Sequence, residues 1–380
     1  MVRTHTCLRA VSVLSFVALS GLAGSSLAGP LSPPAGPVTS TGKTLTEVEP
    51  RIAINLTNTP GDADSKFKIT QPGSYYLTGN VNVGFAQHGI EIASHRVTID
   101  LNGYAIIGIS GSYSGVTVFG ANYNQITVRN GSVRYMGEHG VDLLAVSNSN
   151  ANGHLVENVH VQTCETGIRI DSGIVRNCTA SQCEFTGISA HAWDAGGALI
   201  ESCVSSKNGG DGIGMGNGTV RASVARDCQS TGIRIGNTGL IESCHSEGNS
   251  DWGFGGVNYQ LINSTAIDNA MGGAYTNQTV VMRGNTISSE TAVSGSIGIL
   301  VANSGSVLEG NTIVRQSTAF RVTGANNFVA GNRISGCPKA MDAAAGNRIG
   351  AIVVGAASPA INGSSGGGLG TTDPLANILY

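Results

Sequence analysis

Charge and aromatic side chains are scarce in this sequence: Asp, Glu, Lys and Arg make up 12% of its 380 residues and Phe, Trp and Tyr 5%. No long window has the Ala, Glu, Lys and Leu excess of an extended helix, which excludes a coiled coil or a helical bundle. With 21 basic against 24 acidic residues there is no basic stripe to neutralise phosphates, so nucleic acid is not expected as a partner. No CxxC pair exists, which removes the commonest zinc signature. Beyond residue 28 no run approaches the ~20 apolar residues of a membrane-spanning helix. What is present in quantity is glycine, at 55 positions, roughly twice its usual ~7% share. Hydrophobic residues reach 41% with a net charge of only −3, so disorder is excluded as well.

Residues 1–28 are expected to be a secretory signal peptide: Arg3 and Arg9 form the basic start, Ala10–Ala23 the apolar stretch, and Ser26 and Ala28 the small residues before cleavage. The product is then secreted, periplasmic or displayed at the surface of a bacterium, begins near Gly29, and carries a net charge near −5. Residues 29–48, rich in Pro, Gly, Ser and Thr, suit a flexible linker. Residues 49–88 are expected to cap an ordered body spanning 89–350, and 351–380 to form a C-terminal tail or cap.

The body carries a repeat. Gly followed by two apolar residues that flank a variable one recurs as GIEI at 89, GVTV at 115, GVDL at 140, GIRI at 167, GISA at 187, GIGM at 212, GIRI at 232 and GFGG at 253, with degenerate copies to 340, at steps of 19 to 27 residues. Self-similarity at that period marks a solenoid. A step of 20 or 21 residues cannot hold a strand, a full helix and two loops; it does hold two or three short strands with tight corners. The reading is therefore an all-β, single-stranded parallel β-helix of about twelve coils, on the order of 55 to 60 Å long at ~4.8 Å per coil. A leucine-rich repeat shares the period but needs a Leu ladder that is missing. Cys178, Cys203 and Cys244 each stand nine residues before the repeat Gly, with Ser223 in the same place, and Cys183 and Cys228 stand four before it. Such spacing predicts internal stacks of reduced thiols.

The opening ITQPGSYYLTGNVNV (69–83), GIEIASHRVTIDLNGYAIIG (89–108) and coils such as VRNCTASQCEFTGI (175–188) resemble the secreted bacterial right-handed parallel β-helix repeat proteins of the pectate-lyase-like superfamily. The resemblance covers about residues 49–350. It implies the right-handed fold, whereas for activity it implies only a range: polysaccharide lyases, glycoside hydrolases, esterases, phage spikes and non-catalytic surface proteins. The NTD, DD and GHG phrases of pectin-hydrolysing members reduce here to GEHG at 137–140 and NGGDG at 208–212, and the WIDH and RxPxxR phrases of pectate lyases are absent.

Side chains alternate across a strand, so the middle residue of each repeat strand faces water. In order these are Glu91, Thr117, Asp142, Arg169, Ser189, Gly214, Arg234, Gly255, Tyr275, Leu300, Arg321 and Asp342. Residues just before the strands add Glu138, His139, Asp211, Asp251 and Trp252; Asp171 follows one, and an inserted loop carries His191, Trp193 and Asp194. Acids, arginines and exposed aromatics on one rigid face suit a glycan. A lyase on a uronate polymer must neutralise the substrate carboxylate and remove the adjacent proton. Arg169, Arg234, Asp171, Asp211, His191 and Asp194 are the candidates for that chemistry; His139, Asp142, Trp193, Asp251, Trp252 and Tyr275 are candidates for holding substrate. Asp142, Asp171 and Asp211 could instead hold Ca²⁺. A hydrolase would use two carboxylates ~5 to 9.5 Å apart, for which Asp194 or Asp171 with Asp211 are possible pairs. A third reading is a non-catalytic glycan-binding or structural rod, in which Asp142 and Arg169 form only a cross-strand ion pair.

Overall fold

The structure is a computed structural model that describes residues 49–118, 122–144, 152–191, 197–354 and 373–379. The signal and linker readings of residues 1–48 lie outside them. The described residues form strands and no helix, and apart from an isolated antiparallel bridge between Pro60 and Phe67 the strands pair in parallel, rung on rung, as a parallel β-helix. Three ladders run its length. The first begins at Ser65–Ile69, passes through the repeat strands Val141–Leu143, Ile168–Ile170 and Ile233–Ile235, and ends at Lys339–Ala343. The second runs from Ile52–Ile54 to Arg348–Ile349 and is fourteen strands deep. The third starts at Val81–Asn82. The depth exceeds the twelve coils expected because strands before residue 88 are already rungs in register with those that follow.

The repeat phrase has a packing cause. Its first apolar residue points inward, so Ile90, Val116, Val141, Ile168, Ile188, Ile213, Ile233 and Phe254 stack as one column at 0% exposure, each burial worth about 1.5–3 kcal/mol. The Gly before it lies against the next rung: a Cβ on Gly89 would stand 2.4 Å from the Gly115 carbonyl oxygen, on Gly167 2.3 Å from that of Gly187, and on Gly212 2.6 Å from that of Gly232. No side chain fits there. The bend between the second and third ladders needs one left-handed residue per coil, supplied by Asn130 (φ 60°), Asn158 (53°), Asn177 (52°), Ser202 (53°), Ala222 (47°), Ser243 (53°) and Asn263 (48°). Asn tolerates that conformation better than most residues, which accounts for the Asn-rich corners.

Beside this bend the cysteines stack as expected. Cys178, Cys203, Ser223, Cys244 and Ser264 occupy one interior column, continued by Asn285, Asn311, Asn332 and Asn377. From Ser264 onward, each Asn accepts the backbone N–H of the column residue before it through Oδ1, at 2.9–3.1 Å. The buried corner donors are thereby satisfied. Among the described residues the seven cysteines are free and buried; burial pushes the Cys164 thiol up to about 12 and those of Cys183 and Cys244 up to about 11. At the far end, Asn377–Leu379 does not trail away. It pairs in parallel with Arg333–Ser335 on one side and Ile352–Val354 on the other.

Candidate functional site

The outward residues form one register column on the first ladder. Lys68 pairs with Glu91, Glu91 with Thr117, Thr117 with Asp142, Asp142 with Arg169, Arg169 with Ser189, Ser189 with Gly214, Gly214 with Arg234, Arg234 with Gly255, and Gly255 with Tyr275. The sequence alternation therefore places all of these on one wall. It does not place them in one site, because the column divides into two clusters.

The first cluster centres on Asp142 and Arg169, neighbours on adjacent rungs. Arg169 donates from Nε to Asp142 Oδ1 at 3.0 Å and from Nη2 to Oδ2 at 2.7 Å, a bidentate pair. Asp142 is buried and also accepts the Leu144 N–H at 3.2 Å. A groove of about 680 Å³ opens here, lined among others by His88, Tyr113, Glu138, His139, Glu165 and Arg169. Burial lowers the pKa of His139 and, separately, that of His191. Both rings feel Asp142 and Arg169, so the two imidazoles flank one ion pair. Around His139 the carboxylates of Asp142, Glu165 and Glu138 oppose the burial effect and favour the imidazolium. The Nδ1 of His139 is buried with no hydrogen-bond partner, which costs least when the ring is neutral. His88 Nδ1 accepts the Ser114 N–H at 3.1 Å, and its ring lies 5.0 Å from that of Tyr113.

The second cluster centres on Arg234, three rungs away, about 14 Å along the axis at ~4.8 Å per rung. Arg234 Nε donates to Asp211 Oδ2 at 2.5 Å, and Asp211 Oδ1 accepts from Ser230 Oγ at 2.7 Å and from the Thr231 N–H at 3.2 Å. Thr231 Oγ1 donates to Asp251 at 3.3 Å. Burial and the nearby Asp211 raise the Asp251 carboxyl above the usual range.

Three sequence expectations change accordingly. Arg169 cannot act on the same sugar as Arg234, since three rungs separate them; His191 and Asp211 lie on the two rungs between. For the same reason Asp142 and Asp211 cannot ligate one Ca²⁺ with Asp171, and both are already paired with arginines. Trp252 is not an exposed platform: it is 7% exposed, and the Tyr275 ring from the next rung packs on it with ring centroids 5.4 Å apart. Asp194 and Trp193 lie outside the described residues. Asp171 follows Ile168–Ile170 in a bend, half-buried. Among the described residues, the carboxylates that approach within 4.8 Å as a trio are Asp62, Asp64 and Glu91. Lys68 already bridges two of them, at 2.7 Å to Asp62 and 2.7 Å to Glu91. Three groove residues, His88, Tyr113 and Glu165, escape a reading that follows the outward column. Their signal is register, one or two positions before the repeat Gly.

With this geometry in view, the likenesses are to sugar-modifying folds. No family model matches the chain. No curated protein matches it either. Among solved structures it superposes on the A-module of mannuronan C-5 epimerase AlgE6 of Azotobacter vinelandii with a TM-score of 0.57 and 16% identity, over 73% of this chain and 89% of that one. The A-module of mannuronan C-5 epimerase AlgE4 of the same organism gives 0.52 and 15%, over 68% and 91%. The likeness is one of fold: the chain shares with those modules the parallel β-helix.

Proposed function

We propose that this protein acts on an acidic, uronate-containing polysaccharide lying along the outward column, and that the reaction begins by removing the proton adjacent to the sugar carboxylate at the Asp142–Arg169 centre. The observation that carries this reading is the pair of histidines, His139 and His191, kept neutral by burial on a wall that also presents a guanidinium. Arg169 spends Nε and one Nη on Asp142, and its remaining N–H groups are available to a substrate carboxylate. His139 takes the C5 proton, and Asp142, Glu165 and Glu138 stabilise the imidazolium that results. In β-elimination the C4–O bond then breaks, C4 and C5 become doubly bonded, and the imidazolium returns its proton to the departing oxygen. Reprotonation of C5 on the opposite face would give epimerisation from the same first step, the chemistry named for the Azotobacter modules.

Incubation with polymannuronate and polygalacturonate tests this: elimination raises ultraviolet absorbance from unsaturated ends, and epimerisation in deuterated water labels C5 without cleavage. Arg169→Gln and His139→Gln should each lower the rate at least 100-fold. Neither signal on any uronate polymer sinks the reading. Because both histidines titrate below their ordinary 6.5, activity should persist into mildly acidic solution and fall only as pH drops below that value. A second, non-catalytic reading has its own observation: Arg169, Arg234 and Arg321 are each paired with an aspartate, as ion pairs that merely hold rungs would be. Glycan binding without turnover would favour it. The activity is further proposed to be exported, which a mature N-terminus near Gly29 in mass spectra of culture fluid or periplasm would support.

A further inference from the structure

The second cluster is built like a binding surface. Arg234 has a side chain 53% exposed, yet its Nε is tied to an Asp211 that is itself buried and held by Ser230 and Thr231. A guanidinium anchored from below keeps its outer donors in a fixed place. Toward Arg169 the column is open at the next rung: a Cβ on Gly214 would meet only Thr186 Cγ2, at 3.8 Å, and the small Ser189 follows. Away from it, the Tyr275 ring occupies the space over Gly255, where a Cβ would stand 2.0 Å from ring Cε1. The buried Tyr259 hydroxyl fixes that ring's backbone by donating to the Tyr275 carbonyl at 2.7 Å. A cation between an open floor and a fixed aromatic face matches a carboxylated pyranose, whose charge meets the arginine while a ring face meets the tyrosine.

We propose that Arg234, Gly214 and Tyr275 form a second uronate-binding subsite, so that one acidic polysaccharide chain bridges Arg169 and Arg234 across three rungs. This rests on the reading of the groove given above. Its consequence is a dependence on substrate length. Short oligomers meet one arginine. Longer ones meet both, the second contact being intramolecular and so favoured by a high effective concentration.

The test is calorimetric titration of the full chain with mannuronate and galacturonate oligomers, from dimers upward. Affinity is expected to rise about tenfold, the equivalent of one added charge-assisted contact, once an oligomer is long enough to span both arginines. Arg234→Gln should abolish that rise and leave dimer binding unchanged. Because Arg234→Gln deprives the buried Asp211 of its partner, Gly214→Leu serves as the independent variant: it keeps both members of the ion pair, its Cβ meets nothing closer than Thr186 Cγ2 at 3.8 Å, and it should also abolish the rise. A wild-type affinity without any step in length, or variants that lose short and long oligomers equally, overturns the subsite while the groove reading stands. Failure of every oligomer to bind, together with no turnover, overturns the groove reading and the subsite with it.

Discussion

Ala222 is the alanine in the column of left-handed corner residues, at φ 47°, and a Cβ in that conformation costs roughly 1–2 kcal/mol. Ala222→Gly should therefore raise stability by up to ~1 kcal/mol, less the extra freedom of the unfolded chain; a thermal melt below wild type would contradict it. His154 is a second residue whose place predicts behaviour. It is 1% exposed, neither ring nitrogen has a hydrogen-bond partner, and burial lowers its pKa to about 4. The unfolded chain then binds a proton near pH 6.5 that the native state refuses until about 4. Stability is full above 6.5 and falls by roughly 3 kcal/mol as the pH drops through that window. Denaturant titrations at pH 7 and pH 4 should show this drop, and His154→Leu should reduce it.

At the scale of the strand, the second ladder carries a feature the repeat phrase conceals. Asp100, Arg129, Glu157, Arg176, Glu201, Arg221 and Glu242 are consecutive register partners with alternating charge, with contacts such as Arg176–Glu157 at 2.6 Å and Arg221–Glu201 at 2.8 Å. Each exposed pair contributes under ~1 kcal/mol, far less than the inner stack. Looping out one rung, however, would set like charge on like charge at that junction, so the row favours the native order of rungs more than it stabilises. Glu201→Arg puts three guanidiniums on consecutive rungs. It should cost about 1–2 kcal/mol in low salt, with part of the loss recovered in high salt. An equal loss at both ionic strengths would argue for a packing cause.

The same scale shows what could be read from sequence. The first-ladder column and the cysteine stack were legible because each hangs on one offset from the recurring glycine, and an offset survives coils of unequal length. The charge row stands at an equally constant offset, eleven residues before the repeat Gly at Arg176, Glu201, Arg221 and Glu242, but its alternating sign repeats no single letter. The three rungs from Arg169 to Arg234 were countable from the repeat phrases; what alternation alone does not report is which outward side chains share a site. Trp252 misled because its cover is the Tyr275 ring, which comes from the next rung, twenty-three residues later in the chain.

On the reading proposed above, the positive charge a uronate needs comes from arginines. The carboxylates named for a calcium ion are distributed over different rungs, and among the described residues the trio that does converge holds Lys68. Chelation should accordingly leave groove binding and any turnover within about twofold of the untreated value, a difference of under ~0.5 kcal/mol. Loss of function on adding a chelator, restored by Ca²⁺, would refute the arginine assignment.

The flat, repetitive stacking also makes distance along the wall a quantised property. Duplicating one complete coil between Ile188 and Ile213 would keep a copy of every anchoring group and widen the gap between Arg169 and Arg234 by a single increment of the ladder. Such a protein could be retuned to longer polymers as a ruler is extended, by whole divisions, with no change in the marks at either end.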